Sequence, residues 1–434
     1  MKPQAPQLLE DRADDGIFAV SRDVYLDPEL FQLELEHIFE GGWLYLCHES
    51  QLPEPGDFFT THMGRQPVVL VRGDDGGIRG FVNACAHRGA KLCRTRRGHT
   101  RFMVCPYHGW VYNLRGENVE IKDRHSGGYP AQFDQQSHDL TPLGQLESYR
   151  GFVFGSLKQD VGTLDHHLGA ATAMLDLMVD QSPQGLEILR GSSTYTFEGN
   201  WKLQAENGVD GYHVGSVHGN YLAMVMRRIQ SGNDKVKSIA AGDLSKMPSG
   251  AWDLGRGHTM IWGDVPMVDS RPLNQSRAEI EQRAGTTAAH WMINRSRNVG
   301  LFPNVFVMDQ TSTQIRVFRP LSVDRTEVTI YGIAPKGEPA AARYHRIRQY
   351  EDFFNASGMA TPDDLSEFEA CQNGNRGLRD ELQYLDRGLH RVVRGADDQA
   401  RQLGVEPASC GQDWADETLF HGFYRRWLED IGGG

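Results

Sequence analysis

The sequence predicts an α+β protein in which a small all-β module, residues 42–158, is inserted into a larger mixed unit formed by residues 1–41 and 159–434. Three observations carry that reading. Helical periodicity brackets the module at 28–41 and 163–182, short β-like runs fill 42–158, and a second β-rich stretch at 299–335 gives way to helix after 338. At 434 residues the chain is long enough for two or more domains with a sizeable core.

The first helix is expected at 28–41, where Phe31, Leu35, Ile38 and Phe39 recur at three- and four-residue steps between charged positions. Within the module, Pro67-Val68-Val69-Leu70-Val71, Phe81-Val82-Asn83, Phe102-Met103-Val104 and Phe152-Val153-Phe154 read as strands. Over 163–182 the apolar side gathers Leu164, Leu168, Met174, Leu175 and Met178, a helical pattern. Strands follow at Val305-Phe306-Val307, Ile315-Arg316-Val317 and Val328-Thr329-Ile330-Tyr331.

Composition excludes several classes. With 39% hydrophobic and 24% charged residues the chain is not of the disordered kind. A net charge of −12 argues against nucleic acid as a partner. The N-terminus has no apolar signal region and no apolar run approaches membrane-spanning length, so a cytoplasmic location and no membrane partner are expected. Of six cysteines, Cys47, Cys93, Cys371 and Cys410 lack a disulfide spacing and are expected to be small buried hydrophobes.

The other two cysteines carry the chemistry. Cys85-Ala86-His87 and Cys105-Pro106-Tyr107-His108 stand seventeen residues apart, and each half supplies one thiolate and one imidazole. That is the ligand set of a Rieske [2Fe–2S] cluster, in which two cysteines hold one iron and two histidines the other. A structural zinc site also takes Cys₂His₂, but zinc fingers usually pair the cysteines and then the histidines, so the mixed halves favour the cluster. Glycine and proline flank both halves, as tight loops with inward N–H groups require. Between the halves, Arg88, Lys91, Arg94, Arg96, Arg97 and Arg101 form a basic patch, either a solvated loop or a docking surface for an acidic electron donor.

A second metal site is suggested by His213 and His218, which follow a helix start at Asn200-Trp201-Lys202. Five helical steps turn about 500°, leaving the rings roughly 140° apart, so the helix must distort or end between them, with Gly215 the expected place. Thr361-Pro362-Asp363-Asp364 reads as another helix start, with Thr361 as cap and Pro362 first. Its aspartates either complement the helix dipole or complete, with the two histidines, the facial triad of a non-haem Fe(II) that activates O₂.

These motifs, with His37-Ile38-Phe39-Glu40, Trp43-Leu44-Tyr45-Leu46, Gly64-Arg65-Gln66-Pro67, Leu189-Arg190-Gly191-Ser192 and Arg348-Gln349-Tyr350-Glu351, make the chain resemble the α subunit of Rieske non-haem iron ring-hydroxylating dioxygenases, within them the benzoate, toluate and halobenzoate 1,2-dioxygenase group. The resemblance spans nearly the whole chain. It implies an all-β Rieske domain inserted into a catalytic domain whose antiparallel sheet is covered by helices. It also implies that Cys85, His87, Cys105 and His108 hold the cluster, and that His213, His218 and Asp364, rather than Asp363, hold a mononuclear iron. Asp210 matches the family's bridging carboxylate, three residues before His213 on one helix face, and would hydrogen-bond a cluster histidine, His108, of a neighbouring subunit.

The activity implied is that of a terminal oxygenase dihydroxylating an aromatic carboxylate to a cis-dihydrodiol. Electrons would come from NADH through a separate flavin and iron–sulfur reductase, since the chain lacks a G-x-G-x-x-G fingerprint. Assembly as α₃β₃ with a small β subunit, or as α₃, is implied too. Arg316 and Arg319 are candidates for the substrate carboxylate, or else ion-pair or interface residues. After His218 the chain reads Gly219-Asn220-Tyr221 where the group more often has Trp-Asn-Tyr, a change that enlarges or reshapes the pocket and leaves anthranilate, salicylate or a halobenzoate open as substrates. Rival readings are a Rieske monooxygenase or demethylase, sharing every metal residue, and a pure electron carrier.

Overall fold

A computed structural model describes residues 8–232, 246–310, 313–377 and 382–432. The chain divides into two compact units, one of Leu35–Leu164 and the other of Met1–Glu34 with Asp165–Gly434.

The Leu35–Leu164 unit is built from three small antiparallel sheets. One orders Ile78–Val82, Gln66–Arg72, Asp57–Met63 and Arg97–His99; a second orders Asn118–Glu120, Val111–Tyr112 and Met103–Val104; the third orders Gln145–Tyr149, Phe152–Ser156 and Leu44–His48. Each of the four β runs read from the sequence overlaps one of these strands. A core shared by the first two sheets includes Phe58, Val69, Phe81, Trp110 and Tyr112 and takes in both Cys85 and Cys105. Sulfur chemistry is thereby placed on the dry side of the loops that carry it.

The larger unit is organised on a ten-stranded antiparallel sheet. Its order is Leu186–Ile188, Arg325–Pro335, Thr313–Ser322, Val305–Asp309, Arg295–Leu301, His258–Asp264, Ser249–Gly255, Ser409–Gly411 and Val393–Arg394, with Ser193–Phe197 also paired to Arg325–Pro335. In the middle of the sheet Arg316 lies between Phe306 and Ile330. The Leu419–Gly432 helix buries Phe420, Phe423, Tyr424 and Trp427, and Trp427 reaches Glu34 through its indole N–H at 2.7 Å.

Several elements depart from the expectations. The helix predicted at 28–41 is an α-helix only over Pro28–Leu33, capped by Asp27 with Pro28 in its first turn, and continues as a π-helix over Glu34–Phe39. The helix predicted at 163–182 is two, Leu164–Leu168 and Ala171–Val179, because Gly169 between them takes a φ of +48°. After 338 helices do predominate, yet three short strands also form there, two of them extending the large sheet. Thr361 is the first residue of its helix rather than the cap, which is Ala360; its hydroxyl donates back to the Phe354 carbonyl. Cys47, Cys93 and Cys410 are buried as expected, whereas Cys371 is exposed. Among the described residues no helix is long and apolar enough to cross a membrane.

Candidate metal centres

The two cysteine–histidine loops of the smaller unit are built alike. Cys85 N–H donates to the Ala90 carbonyl and Gly89 N–H to the Cys85 carbonyl, while Cys105 N–H donates to the Trp110 carbonyl and Gly109 N–H to the Cys105 carbonyl. Gly89 and Gly109 close these turns at φ +70° and +77°, a conformation that L side chains rarely adopt. The loops therefore need glycine for backbone conformation; open space surrounds both positions.

At the loop tips the two imidazoles face each other, His87 Nδ1 and His108 Nδ1 being 3.1 Å apart. The His87 ring stacks on Trp110 at 4.9 Å and 10°. Below them the cysteines are buried, and the Tyr112 hydroxyl lies 3.2 Å from Cys85 Sγ and accepts from the Ala86 N–H. Two nitrogen donors on the outer side and two sulfurs on the core side fit a cluster with one His-bound and one Cys-bound iron. All six basic residues between the loops are exposed, and Arg88 lies over the Tyr107 ring at 5.5 Å.

The second group lies in the larger unit. The helix Trp201–Asn207 starts on Asn200, whose side chain caps Lys202 N–H, and ends at Gly208. His213 then precedes and His218 follows a single turn, Val214–Val217, before the helix Gly219–Gln230 begins. The rings converge because the helix breaks on both sides of that turn. Gly215 lies inside the turn, so it is not the point of distortion that the spacing suggested.

Nε2 of His213 and Nε2 of His218 are 3.3 Å apart, and Asp364 Oδ1 lies 3.5 Å from the first and 3.3 Å from the second. Such a triangle of two imidazole nitrogens and one carboxylate oxygen is the donor set of non-haem Fe(II). Asp364 is 2% exposed and its Oδ2 has no hydrogen-bond partner, an orphaned buried acceptor that a cation would satisfy. Asp363 stands apart, with Oδ2 3.9 Å from His218 Nδ1, beyond hydrogen-bond range.

Asp210 does not share a helix with His213, as the sequence suggested; a turn carries it. Its Oδ2 accepts from His213 Nδ1 at 3.1 Å and its Oδ1 from the Tyr212 N–H at 2.6 Å. Burial works against a charged His213, but the hydrogen bond and charge of Asp210 prevail and raise its pKa. With the proton held on Nδ1, Nε2 presents its lone pair to the triangle. Asn207 Nδ2 donates to Asp364 Oδ1 at 3.1 Å, a contact that sequence reading missed because an asparagine at a helix end has many uses. Glu206, the residue before it, accepts from the hydroxyls of Tyr25 and Tyr424; burial pushes its carboxyl up to about 7.

The triangle opens on a cavity, continuous with solvent, whose apolar wall includes Ile261, Met308, Phe353, Phe354 and Trp414. An apolar wall beside a few convergent polar groups is the lining that small organic ligands favour. At Gly219, where the resemblance led us to expect tryptophan, an added Cβ would meet no atom within 4 Å.

A protein with a cysteine–histidine cluster site and a separate two-histidine, one-carboxylate site is a Rieske-type metalloprotein with a non-haem iron centre. Residues 42–141 match the Rieske [2Fe-2S] domain and residues 188–433 the catalytic domain of the ring hydroxylating alpha subunit. The chain is 47% identical to toluate 1,2-dioxygenase subunit alpha of Pseudomonas putida, over 98% of this chain and 93% of that one. It is 46% identical to the 2-halobenzoate 1,2-dioxygenase large subunit of Burkholderia cepacia, over 96% and 90%. Its fold superposes on naphthalene 1,2-dioxygenase from Rhodococcus sp. bound to indole with a TM-score of 0.81 at 25% identity, covering 95% and 94%. The chain belongs to the α subunits of the Rieske ring-hydroxylating dioxygenases, oxidoreductases that work with a [2Fe–2S] cluster and a mononuclear iron.

Proposed function

We propose that this chain is the terminal oxygenase component of a system that converts a benzoate-type aromatic carboxylate to a cis-dihydrodiol, with O₂ and with electrons drawn from NADH by a separate reductase. The observation that carries the reading is the donor triangle of His213, His218 and Asp364 opening on an apolar cavity. The nearly full-length likeness to toluate and halobenzoate 1,2-dioxygenase chains supports an aromatic acid.

In this reading Cys85 and Cys105 hold one cluster iron and His87 and His108 the other, while His213, His218 and Asp364 hold the mononuclear iron. The bound metals supply single-electron storage and O₂ activation. The chain's own residues fix the conditions. Asp210 holds the proton on His213 Nδ1, Asn207 orients Asp364, and the apolar walls hold the ring and keep water away. Asp210 also bridges to His108 of a neighbouring subunit in a ring of three α subunits, α₃ or α₃β₃. The exposed basic residues between the cluster loops are the docking patch for the donor.

A single turnover of prereduced protein with benzoate under isotope-labelled O₂ tests the reading. Two labelled atoms in a dihydrodiol are expected. One labelled atom would move the assignment to a monooxygenase or demethylase, and no product despite a reducible cluster would exclude benzoate and turn the search to anthranilate, salicylate or halobenzoates.

A further inference from the structure

Arg316 is 1% exposed, yet it lines the cavity onto which the donor triangle opens. One of its guanidinium nitrogens, Nη1, donates to Gln204 Oε1 at 3.4 Å, and the group lies over the Phe354 ring at 4.9 Å. Nε and Nη2 have no hydrogen-bond partner. Among the described residues no carboxylate lies within ion-pair distance of it, in contrast to buried Arg271 and Arg297, which both hold Asp309. An arginine stays charged in a protein, and a buried charge with idle donors is costly unless something completes it. It is also the one lysine or arginine among the described residues lining this cavity.

We infer that Arg316 is the anchor for the substrate's carboxylate, offering Nε and Nη2 as a two-pronged donor that fixes the aromatic ring against the apolar wall. The inference rests on the reading of the cavity as the aromatic acid's site and adds which residue selects the acid. Guanidinium and carboxylate match as planar forks, and a pair withdrawn from water binds more strongly than the same pair at the surface. Arg316 and the donor triangle of His213, His218 and Asp364 line one and the same cavity. Arg319, the other candidate, is not among the lining residues; its strand position faces Glu327, whose charge acts on it.

The test compares benzoate with toluene, a ring of similar size without charge, in wild-type holoenzyme, Arg316→Gln and Arg316→Lys. The ratio of kcat/KM for benzoate over toluene is expected to fall by about 10- to 100-fold in Arg316→Gln, the loss of a charge-assisted pair, and to recover in part in Arg316→Lys. Iron content and the visible cluster spectrum should be those of the wild type, and benzoate binding to the oxidised holoenzyme, read by calorimetry, should weaken by a similar factor. A parallel fall for both substrates, leaving the ratio unchanged, overturns the inference, as does wild-type benzoate affinity in Arg316→Gln. Should neither variant fold, wild-type binding decides: benzoate must bind at least about 10-fold tighter than benzamide, its neutral counterpart, and equal affinities overturn the anchor. If wild-type enzyme turns over toluene but no aromatic acid, the proposed substrate class fails first, independently of any variant.

Discussion

Glu34 offers the sharpest test of what holds the catalytic unit together. Its carboxylate is buried beneath the Trp201–Asn207 helix, where it pairs with Lys202 and accepts from the indole N–H groups of Trp201 and Trp427, each at 2.7 Å. Lys202 is fully buried, and burial lowers its pKa against the opposing pull of Glu34. Glu34→Gln keeps the volume and removes the charge. The ammonium would then lose its partner charge and keep a neutral amide oxygen, the more distant charge of Glu206 and the rings of Tyr25, Trp201 and Trp427 at 5.0 to 5.8 Å. Such contacts return about 0.5–2 kcal/mol, less than the 3–5 kcal/mol that breaking a buried pair typically costs. One indole also loses its acceptor, adding about 1 kcal/mol. We expect a net loss of about 4 kcal/mol. In a unit of about 300 residues that unfolds with an entropy near 2 cal/mol/K per residue, the midpoint falls by about 6 °C by calorimetry. Adding Lys202→Met should restore at least half of the loss, because the uncompensated charge goes with it. A single variant that loses less than about 1 kcal/mol, or a double variant no better than the single, refutes the reasoning.

Four further outcomes are expected. Asp364→Ala should reduce iron from about three to about two per chain with the cluster spectrum intact, whereas Asp363→Asn should keep all three; the reverse pattern by metal analysis would exchange their roles. Asp210→Ala should leave the cluster spectrum unchanged while product formation stops, and full turnover would remove it from the electron path. Tyr112→Phe deletes the hydroxyl beside Cys85 and should lower the cluster potential by on the order of 50 mV, about 1 kcal/mol for one electron, so an unmoved potential in voltammetry speaks against that hydrogen bond. Because burial raises Glu206 from 4.5 to about 7, its neutral form favours folding fully below pH 4.5, and that contribution is lost as the pH rises to about 7, a span worth about 3 kcal/mol; Glu206→Gln should flatten the stability profile across that window, and a profile as steep as the wild type's would contradict it.

The metal chemistry was legible where residue type is itself the signal. Mixed Cys–His halves need no knowledge of packing, whereas Asp364 was singled out over Asp363 only by the family resemblance; the fold brings donor atoms of His213, His218 and Asp364 to 3.3–3.5 Å from one another. Geometry between those residues was less legible. Gly215 drew attention as a breaker, but the breaks on either side of the Val214–Val217 turn come from the chain's path rather than from a glycine. The strands Ser249–Gly255 and His258–Asp264 escaped notice because they are buried on both faces and so lack alternation. Arg295 and Arg297 likewise disguise a core strand, since the rings and carboxylate that shelter them come from distant segments: Trp262 and Trp291 lie beneath Arg295 at 4.2 and 4.1 Å, and Asp309 meets Arg297. Arg316 could be suspected from its chemistry, but only packing reveals its idle donors.

Arg316 stands on a central strand with neighbours bonded on either side, while the two histidines flank a single helical turn, Val214–Val217. One end of a bound ring would thus be held at the sheet, the floor, and the other offered to the donor triangle, the ceiling. In the proposed reading the molecule would work as a gauge: the height between the two would select which ring carbons meet the iron. Substitutions that thicken or thin that gap should move the site of attack around the ring without altering a single metal ligand.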